Sequence, residues 1–564
     1  MKKLLLVLIV LLASLRGSSQ GWEWGRWAKS AAGGSEGLFC AADQYGNVYG
    51  AGYYFGSIVF GNDTLVNISG GASAGMLVKY DSLGNVLWAK STSHGRAYTM
   101  GVATDLYDNV YISGGYDTSF ILDNHLLQNP NGTKNQYFIA KFSSTGNLKW
   151  LKNIGNVAGY FNPSSRGIVT DVDGDIYLTC AFLNSPLVGT FSITNSNTDS
   201  TADILAVKFD SSGSVIWAKG FGGKRWDLPM GIAPGPSHNS YIVGYFNSDT
   251  LFCGPYALRD TGAAQLYTAV YIAKLDANGD PVWAQSASGG SNGQYFTGVA
   301  VNSHESIYVT GAYYATPLTL GTHILPLPPA GSYGFLANYD SSGSAVSVKL
   351  LQGYYVLPWV PTVDPCDNVW IISSMGTGHL ITNDTIDGHI LSPLPVNGDP
   401  NFIAGWDSSG SFITASALAS GSTDDPNSIV ADRFGHVYVI GDQEYCDTFV
   451  IASDTNITNG ETMFMGKFNT GLNCIAEKTT QTKLEQIFTL YPNPATSTIT
   501  IQYNKPIQNT TASIYDITSR LMGSYLLTGS STTISVQNLP PGIYQLRVVD
   551  GEHNVVTKKV VVMQ

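Results

Sequence analysis

The sequence predicts an all-β protein: a seven-bladed β-propeller of four-stranded blades, followed by a small immunoglobulin-like β-sandwich. Three observations predict it. A pattern of Lys, an aromatic or Leu, Asp, a Gly turn and Trp-Ala-Lys recurs at Lys79 with Trp88, Lys141 with Trp150, Lys208 with Trp217 and Lys274 with Trp283, with weaker copies at Asn338, Gly405 and Lys467. The spacings of its first position are 62, 67, 66, 64, 67 and 62 residues. A steady period in that range marks stacked or radially arranged units. Each period is filled by short β-branched and aromatic runs bounded by Gly, Asn, Asp and Ser, and only the N-terminal leader departs from this.

Within one unit, four strands follow in order. Gly101-Val102-Ala103-Thr104-Asp105 is a small-residue strand, and Asn109-Val110-Tyr111-Ile112-Ser113-Gly114 follows a tight turn. Tyr137 to Phe142 is the third, and Leu148 to Lys152, after a Gly turn, is the fourth. The second strand carries an aromatic column: Tyr49, Tyr111, Tyr177, Tyr241, Tyr308, Trp370 and Tyr438. Such regular repetition is the mark of packing between units. Three residues later stand Gly52, Gly114, Cys180, Gly244, Gly311, Ser373 and Gly441. Only small residues fill that slot, so a neighbouring sheet is expected to approach closely there.

A β-helix would repeat over a much shorter length, and strung sandwich domains would need about 100 residues each. The seventh unit ends at Phe464 to Asn469 without its Trp-Ala-Lys strand, whereas Trp27-Ala28-Lys29 precedes the first complete unit. The N-terminal strand is therefore expected to become the outer strand of the last blade, which would otherwise expose an edge.

The segments Asp43 to Gly52, Lys208 to Lys219 and Gly84 to Lys90 resemble the secreted bacterial β-propeller repeat family. The likeness spans about residues 22–475 and implies fold, since that family shares no single activity. Units five and six depart from its pattern: Asn338 and Gly405 replace the Lys, and Ser347 and Thr414 replace the Trp.

Lys2 and Lys3 followed by Leu4 to Leu12 read as a signal peptide over residues 1–19, too short for a stable membrane span. The propeller is expected over residues 20–475, and a polar linker over 476–487. Residues 488–564 alternate strands with Pro/Gly corners. They resemble the C-terminal sorting domain of the type IX secretion system. The match is carried by Tyr491-Pro492-Asn493-Pro494-Ala495, Ile514-Tyr515-Asp516, Pro541-Gly542-Ile543-Tyr544 and the closing Lys558-Lys559-Val560 strand. Ser519 before Arg520 departs from the family's usual Gly. The resemblance implies export by type IX secretion machinery across a Gram-negative outer membrane. The product would be released or held at the cell surface, with Pro492, Asn493, Pro494, Gly542, Tyr544 and Lys558 carrying the sorting signal.

Charged residues make up only 12% of the chain and the net charge is −12, without basic runs, which argues against nucleic acid or an anionic membrane as partner. Six cysteines in an exported chain suit disulfides, and Cys446 with Cys474 is a bridge that would lock the last blade. Gly-x-Ser-x-Gly occurs at Gly33, Gly71 and Gly289, but never between a strand and a helix, as a nucleophile elbow requires. Asp171-Val172-Asp173-Gly174-Asp175 looks like a calcium loop. It occupies the turn held elsewhere by Asp43 to Asn47 and Asp105 to Asn109, and turn chemistry accounts for it. No catalytic residue, cofactor or metal site is assigned.

Strand direction puts the short turns on one face and the long connections on the other. The long connections carry Arg96, Tyr98, Arg225, Trp226, Tyr354 and Trp359, large aromatic or basic residues in a chain poor in charge. Such a rim suits a glycan or protein ligand. The expected function is a non-enzymatic binding or adhesion scaffold. The alternative is a polysaccharide-active hydrolase or lyase, which needs paired carboxylates facing the central channel.

Overall fold

In the computed structural model, residues 20–472 and 488–563 are described, apart from 31–32, 130–134, 159–166, 196–200, 260–268, 288–293, 315–316, 330, 377–384, 391–400, 419–423, 444–448, 457–460, 504–509, 517–520, 528–530 and 550–554. The expected signal peptide and linker, with Gly289, Cys446, Cys474, Ser519 and Arg520, lie outside the described residues. The chain divides into units 1–474 and 475–564. Among the described residues every regular element is a strand.

The repeat of the first unit becomes a repeat of sheets. Ser35–Ala42, Val48–Tyr54, Ala74–Tyr80 and Val86–Ser93 pair in that order as an antiparallel meander. The same meander recurs from Ala97–Thr104, Ile168–Thr170, Asp227–Pro234, Gln294–Val301 and Tyr354–Pro358 onward. In the last sheet, Asp424–Ala431, His436–Gln443 and Thr462–Asn469 are completed by Gly21–Trp27 from the start of the chain. Each innermost strand touches the next, sheet six doing so through Thr362–Val363, and Asp424–Ala431 returns to Ser35–Ala42. The arrangement is propeller-like, around a cavity of about 390 Å³ lined by all of the innermost strands.

The N-terminal pairing is present, but in a different register. Lys79 pairs with Trp88, Lys141 with Trp150, Lys208 with Trp217 and Lys274 with Trp283. Lys467 pairs with Trp24, so Trp24-Gly25-Arg26, not Trp27-Ala28-Lys29, fills the Trp-Ala-Lys slot. Its indole explains why. Trp24 Nε1 donates to Ser82 O at 3.2 Å in the following sheet, as Trp88 does to Ser144 O at 3.1 Å and Trp283 to Ser341 O at 3.0 Å. Trp27 instead packs edge-on against Phe449.

The aromatic column is the buried core of each sheet. Tyr49, Tyr111, Tyr177, Tyr241, Trp370 and Tyr438 are wholly buried, and Tyr308 nearly so. Each repeated Lys lies over the Tyr it pairs with, as Lys79 does over Tyr49 at 4.9 Å. That ammonium also meets Asp43 at 3.3 Å, and the Tyr49 hydroxyl donates to the same carboxylate. The departure in sheet six has a steric cause. Trp370 pairs with Gly405, where a Cβ would run into the indole, and Trp370 Nε1 donates directly to Asp364 at 3.0 Å. The larger ring takes the place of both Tyr and Lys.

The small-residue column is explained within one sheet, not between sheets as expected. A Cβ at Gly52 would meet Glu36 O, and one at Gly244 would meet Leu228 O, both on the first strand of the same sheet. That strand bulges at Gly37/Phe39 and at Pro229/Gly231, which pushes its carbonyl over the second strand.

The connections between second and third strands are also more regular than loops. They form short hairpins, such as Ser119–Leu122 with His125–Gln128, which pairs onto the preceding sheet's outer strand at Thr92 and Ser93. Cys366 is disulfide-bonded, whereas Cys40, Cys180 and Cys253 are buried thiols. The expected Cys446–Cys474 bridge lies outside the described residues.

In the second unit, Phe488–Tyr491, Thr498–Tyr503 and Ser531–Ser535 form one sheet, and Leu521–Leu527, Thr510–Tyr515, Gly542–Val549 and Val555–Val562 form another. Ile499, Ile501 and Ile534 of the first share a core with Ile514, Leu546, Val548 and Val560 of the second.

Candidate functional site

First strands begin, and second strands end, at the face of the long connections. The bulge and the Gly column place one residue from each at that rim, so successive sheets meet there through paired side chains. Tyr53 and Tyr98 meet edge-to-face at 4.9 Å. Arg96 Nε donates to the Tyr98 hydroxyl at 2.7 Å, and its guanidinium lies 5.2 Å from the ring centroid. The Tyr53 hydroxyl donates to Glu36. Burial, then this carboxylate, raises the Tyr53 phenol well above its ordinary range.

Beside Glu36 lies Asp442, almost wholly buried. Burial, followed by the negative charges of Glu36, Asp425 and Glu461, pushes its carboxyl well above the usual range. Asn427 Nδ2 donates to Asp442 Oδ1 at 2.7 Å. These acids come from the first and last sheets and meet only because those sheets touch.

A second group lies along sheets four to six. Trp226 is half-buried, packed with Leu183 and Tyr245 against Ala181, Ala202 and Leu228. Edge-to-face contacts run on from Tyr245 to Tyr295 at 5.4 Å and from Tyr295 to Tyr314 at 6.2 Å. Tyr355 follows at 6.5 Å from Tyr314 and is exposed. Arg225 is exposed and lies 3.8 Å from Asp249. Next to it, Asp227 is wholly buried and accepts hydrogen bonds from Gly223 N at 2.6 Å and Ser248 Oγ at 2.8 Å. Burial, with the nearby Asp203 charge, raises its carboxyl to about 7.

Of the residues expected at the rim, Arg96 and Tyr98 stand together, and Arg225 and Trp226 stand in the second group. Tyr354 begins the strand Tyr354–Pro358, but its side chain lies outside the description. Trp359 does not reach the rim. Its N–H donates to Ile372 O at 2.8 Å, and it packs with Trp370, Ile372 and Val439 inside the sheets. Sequence reasoning missed Glu36, Tyr53, Asp442, Tyr245 and Tyr314. A signal for three of them was present, since Tyr53, Tyr245 and Asp442 each directly follow the Gly column.

The central cavity is lined by backbone and small or aliphatic side chains such as Gly101, Val102, Ile168, Gly231, Val299 and Ile429. No carboxylate is among its lining residues. On the opposite face, the Asp171 turn works as a turn: Asp171 Oδ1 accepts from Asp173 N at 3.1 Å and Asp175 N at 3.0 Å, and Asp175 is paired with Lys208 at 3.0 Å.

In the second unit, Asn493 Oδ1 accepts Val561 N at 2.8 Å, and Ala495 exchanges backbone hydrogen bonds with Val561 and Met563. The Tyr544 hydroxyl donates to Pro540 O at 2.7 Å, and Gly542 and Lys558 lie on paired strands. Pro492 and Pro494 flank Asn493 on the exposed side. The motif residues thus tie the terminal strand to the start of the unit.

Residues 489–563 match the family model of the secretion system C-terminal sorting domain. An uncharacterised WD repeat-containing protein of Acanthamoeba polyphaga mimivirus is 24% identical over 365 residues, covering 53% of this chain and 26% of that protein. The chain therefore spans about a quarter of that relative's length. Among solved structures, it is similar to PorZ of Porphyromonas gingivalis, described as an essential bacterial surface component of the type IX secretion system. That likeness has 10% identity and a TM-score of 0.19, over 95% of this chain and 100% of that one. It is also similar to the β-propeller domain of the Trilobed protease of Pyrococcus furiosus, at 10% identity and a TM-score of 0.31, over 81% of this chain and 93% of that one. At such TM-scores these likenesses carry no argument, and the fold rests on the strand pairing. The second unit is a type IX sorting tail, which marks the chain as an exported protein of the secreted or cell-surface class, and the strand pairing makes the first unit propeller-like.

Proposed function

We propose that residues 20–475 form a closed seven-bladed propeller, that 488–564 form an immunoglobulin-like sorting sandwich, and that the exported propeller is a non-enzymatic glycan-binding scaffold. The observation that carries the binding reading is the aromatic rim on the long-connection face: Arg96, Tyr98 and Tyr53 on one side, Trp226, Tyr245, Tyr295, Tyr314 and Tyr355 on the other. Aromatic faces bordered by hydrogen-bonding groups suit sugar rings, and aromatic and Arg side chains carry most of the energy where they bind. We propose Tyr354, the first residue of Tyr354–Pro358, for the same rim.

A glycan array with the mature chain tests this. Arg225→Ala and Trp226→Ala should each weaken binding of a retained glycan by about 2 kcal/mol or more. Unchanged affinity in both variants, with a large loss in Asp105→Ala on the short-turn face, overturns the assignment. Retention of protein partners but no glycan on pull-down makes the ligand a protein.

The alternative, a polysaccharide-active hydrolase or lyase, is favoured by one observation: the buried carboxyl of Asp442, raised above its ordinary range, beside Glu36. Asp442→Asn would then abolish cleavage of a bound glycan while leaving its binding intact. Export rests on the sorting tail. Removal of residues 488–564 should leave a folded propeller in the periplasm of the native host, and normal release of that truncated chain would refute the sorting role.

A further inference from the structure

On the short-turn face, the fourth residue of each turn between first and second strands has a positive φ: Gly46, Asp108, Gly174, His238, Glu305, Asp367 and Gly435. Where this residue has a side chain, it reaches back to the preceding sheet. Asp108 accepts from Gln44 Nε2 at 2.8 Å. Glu305 accepts from the Tyr241 hydroxyl at 2.7 Å and Lys274 Nζ at 3.0 Å. Asp367 accepts from Ser303 N at 2.8 Å and Ser303 Oγ at 2.7 Å. In each case an acid meets donors at full hydrogen-bond length.

The junction between sheets three and four reverses this chemistry. There the reaching residue is an imidazole, and it meets two carboxylates. His238 Nδ1 lies 3.4 Å from Asp173 Oδ2 and 4.0 Å from Asp171 Oδ2, and all three ligand atoms fall within 4.8 Å of one another. Three Lewis bases thus converge at separations longer than the direct bonds of the other junctions. Ligands held at about 2.0–2.2 Å from one ion sit roughly 3–4 Å apart.

Asp171 is the fixed ligand. Its Oδ1 is held by two backbone N–H groups, and its Oδ2 lies 3.2 Å from the Tyr177 hydroxyl and 3.4 Å from Lys208 Nζ. Lys208 is closer to Asp175, at 3.0 Å. One ammonium therefore serves two carboxylates, Asp171 and Asp175. Asp173 and the half-exposed His238 can close on an ion by small side-chain movements. Asp171 and His238 also line a pocket of about 370 Å³ with Thr170, Asn302 and Ser303, which gives an entry path and room for water ligands.

We infer that Asp171, Asp173 and His238 form a divalent-metal site that clips sheet three to sheet four. One imidazole and two carboxylates suit zinc or a neighbouring first-row ion. Calcium takes oxygen ligands and would leave His238 unused. The site stands on the face opposite the aromatic rim and does not depend on the binding function proposed for it.

The test uses the full mature chain, stripped with a chelator and titrated calorimetrically with Zn²⁺. Co²⁺ then reports coordination through its visible absorption. A single zinc per chain is expected, and zinc should raise the Tm of the wild type, since an ion that binds only the folded state stabilises it. His238→Ala and Asp173→Asn should each lose at least about tenfold in affinity, by analogy with the loss seen when metal-site partners are removed. Both should match the chelated wild type in Tm without metal. His304→Ala, at another junction of the same face, should bind zinc normally. No zinc uptake by the wild type, or uptake unchanged in both His238→Ala and Asp173→Asn, overturns the site.

Discussion

At the short-turn end of the sheets, charged groups are matched by partners that recur with the repeat: Asp43 with Lys79 and Tyr49, Asp432 with His436 and Tyr438, Glu305 with Lys274. At the long-connection end, the rim changes from sheet to sheet, between tyrosine pairs, the Trp226 cluster and the buried acids Asp227 and Asp442. Both ends have the same scaffold behind them, so the difference lies in what the repeat demands. Groups that build the turns and the buried column recur in most units. Groups outside that repeated chemistry are free to differ, and burial raises the carboxyls of Asp227 and Asp442 there.

The sharpest way to break this comparison is at closure. Deleting residues 20–30 removes Trp24, its bond to Ser82 and the whole outer strand of the last sheet. Aggregation and loss of cooperative unfolding are expected, read by size-exclusion chromatography and calorimetry. A monodisperse, cooperatively melting variant would show that ring closure does not depend on this strand.

A smaller effect separates regular from degenerate sheets. Lys79→Ala leaves Asp43 buried without its ammonium and should cost about 3–5 kcal/mol in denaturant unfolding. Burial alone would lower the Lys79 pKa, and Asp43 opposes that shift, so the pair is costly to break from either side. Asn338→Ala, at the same position in sheet five, should cost less than about 1 kcal/mol, because Asn338 Oδ1 is buried without a hydrogen-bond partner. Equal losses in the two variants would mean that the repeated Lys is not the element that couples the sheets.

The smallest effect is a pH dependence specific to the long-connection end. Asp227 has a carboxyl raised to about 7 from an ordinary value near 4, so the folded state holds a proton that the unfolded chain releases. Its stabilisation is present below about pH 4 and is lost as pH rises towards about 7. Asp227→Asn should therefore flatten the decline in Tm between about pH 4 and 7 and should be more stable than the wild type at pH 8. An unchanged pH profile would remove Asp227 from that account.

Much of the fold was legible because a repeat samples the same physical constraint seven times. The spacing of Lys79, Lys141, Lys208 and Lys274, and the burial of the Tyr49 column, follow from one packing rule written repeatedly. The register of the N-terminal strand was not legible. Trp24 and Trp27 both look like the repeated Trp, and only the reach of an indole to Ser82 across the sheet boundary separates them. The rim was legible in type but not in membership. Arg96, Tyr98, Arg225 and Trp226 could be found by composition, yet Trp359 turned inward because its N–H pairs with Ile372 in mid-sheet.

By itself the sequence determined the all-β class, the repeat and the sorting tail, since period, strand chemistry and short linear motifs are local properties of the chain. Tertiary structure alone decided which distant residues share a site. Asp442 meets Glu36 across more than 400 residues because the last sheet touches the first. His238 faces Asp171 and Asp173 because a positive-φ turn residue reaches back one sheet. Proximity of that kind is set by how the sheets pack, and no spacing along the chain encodes it.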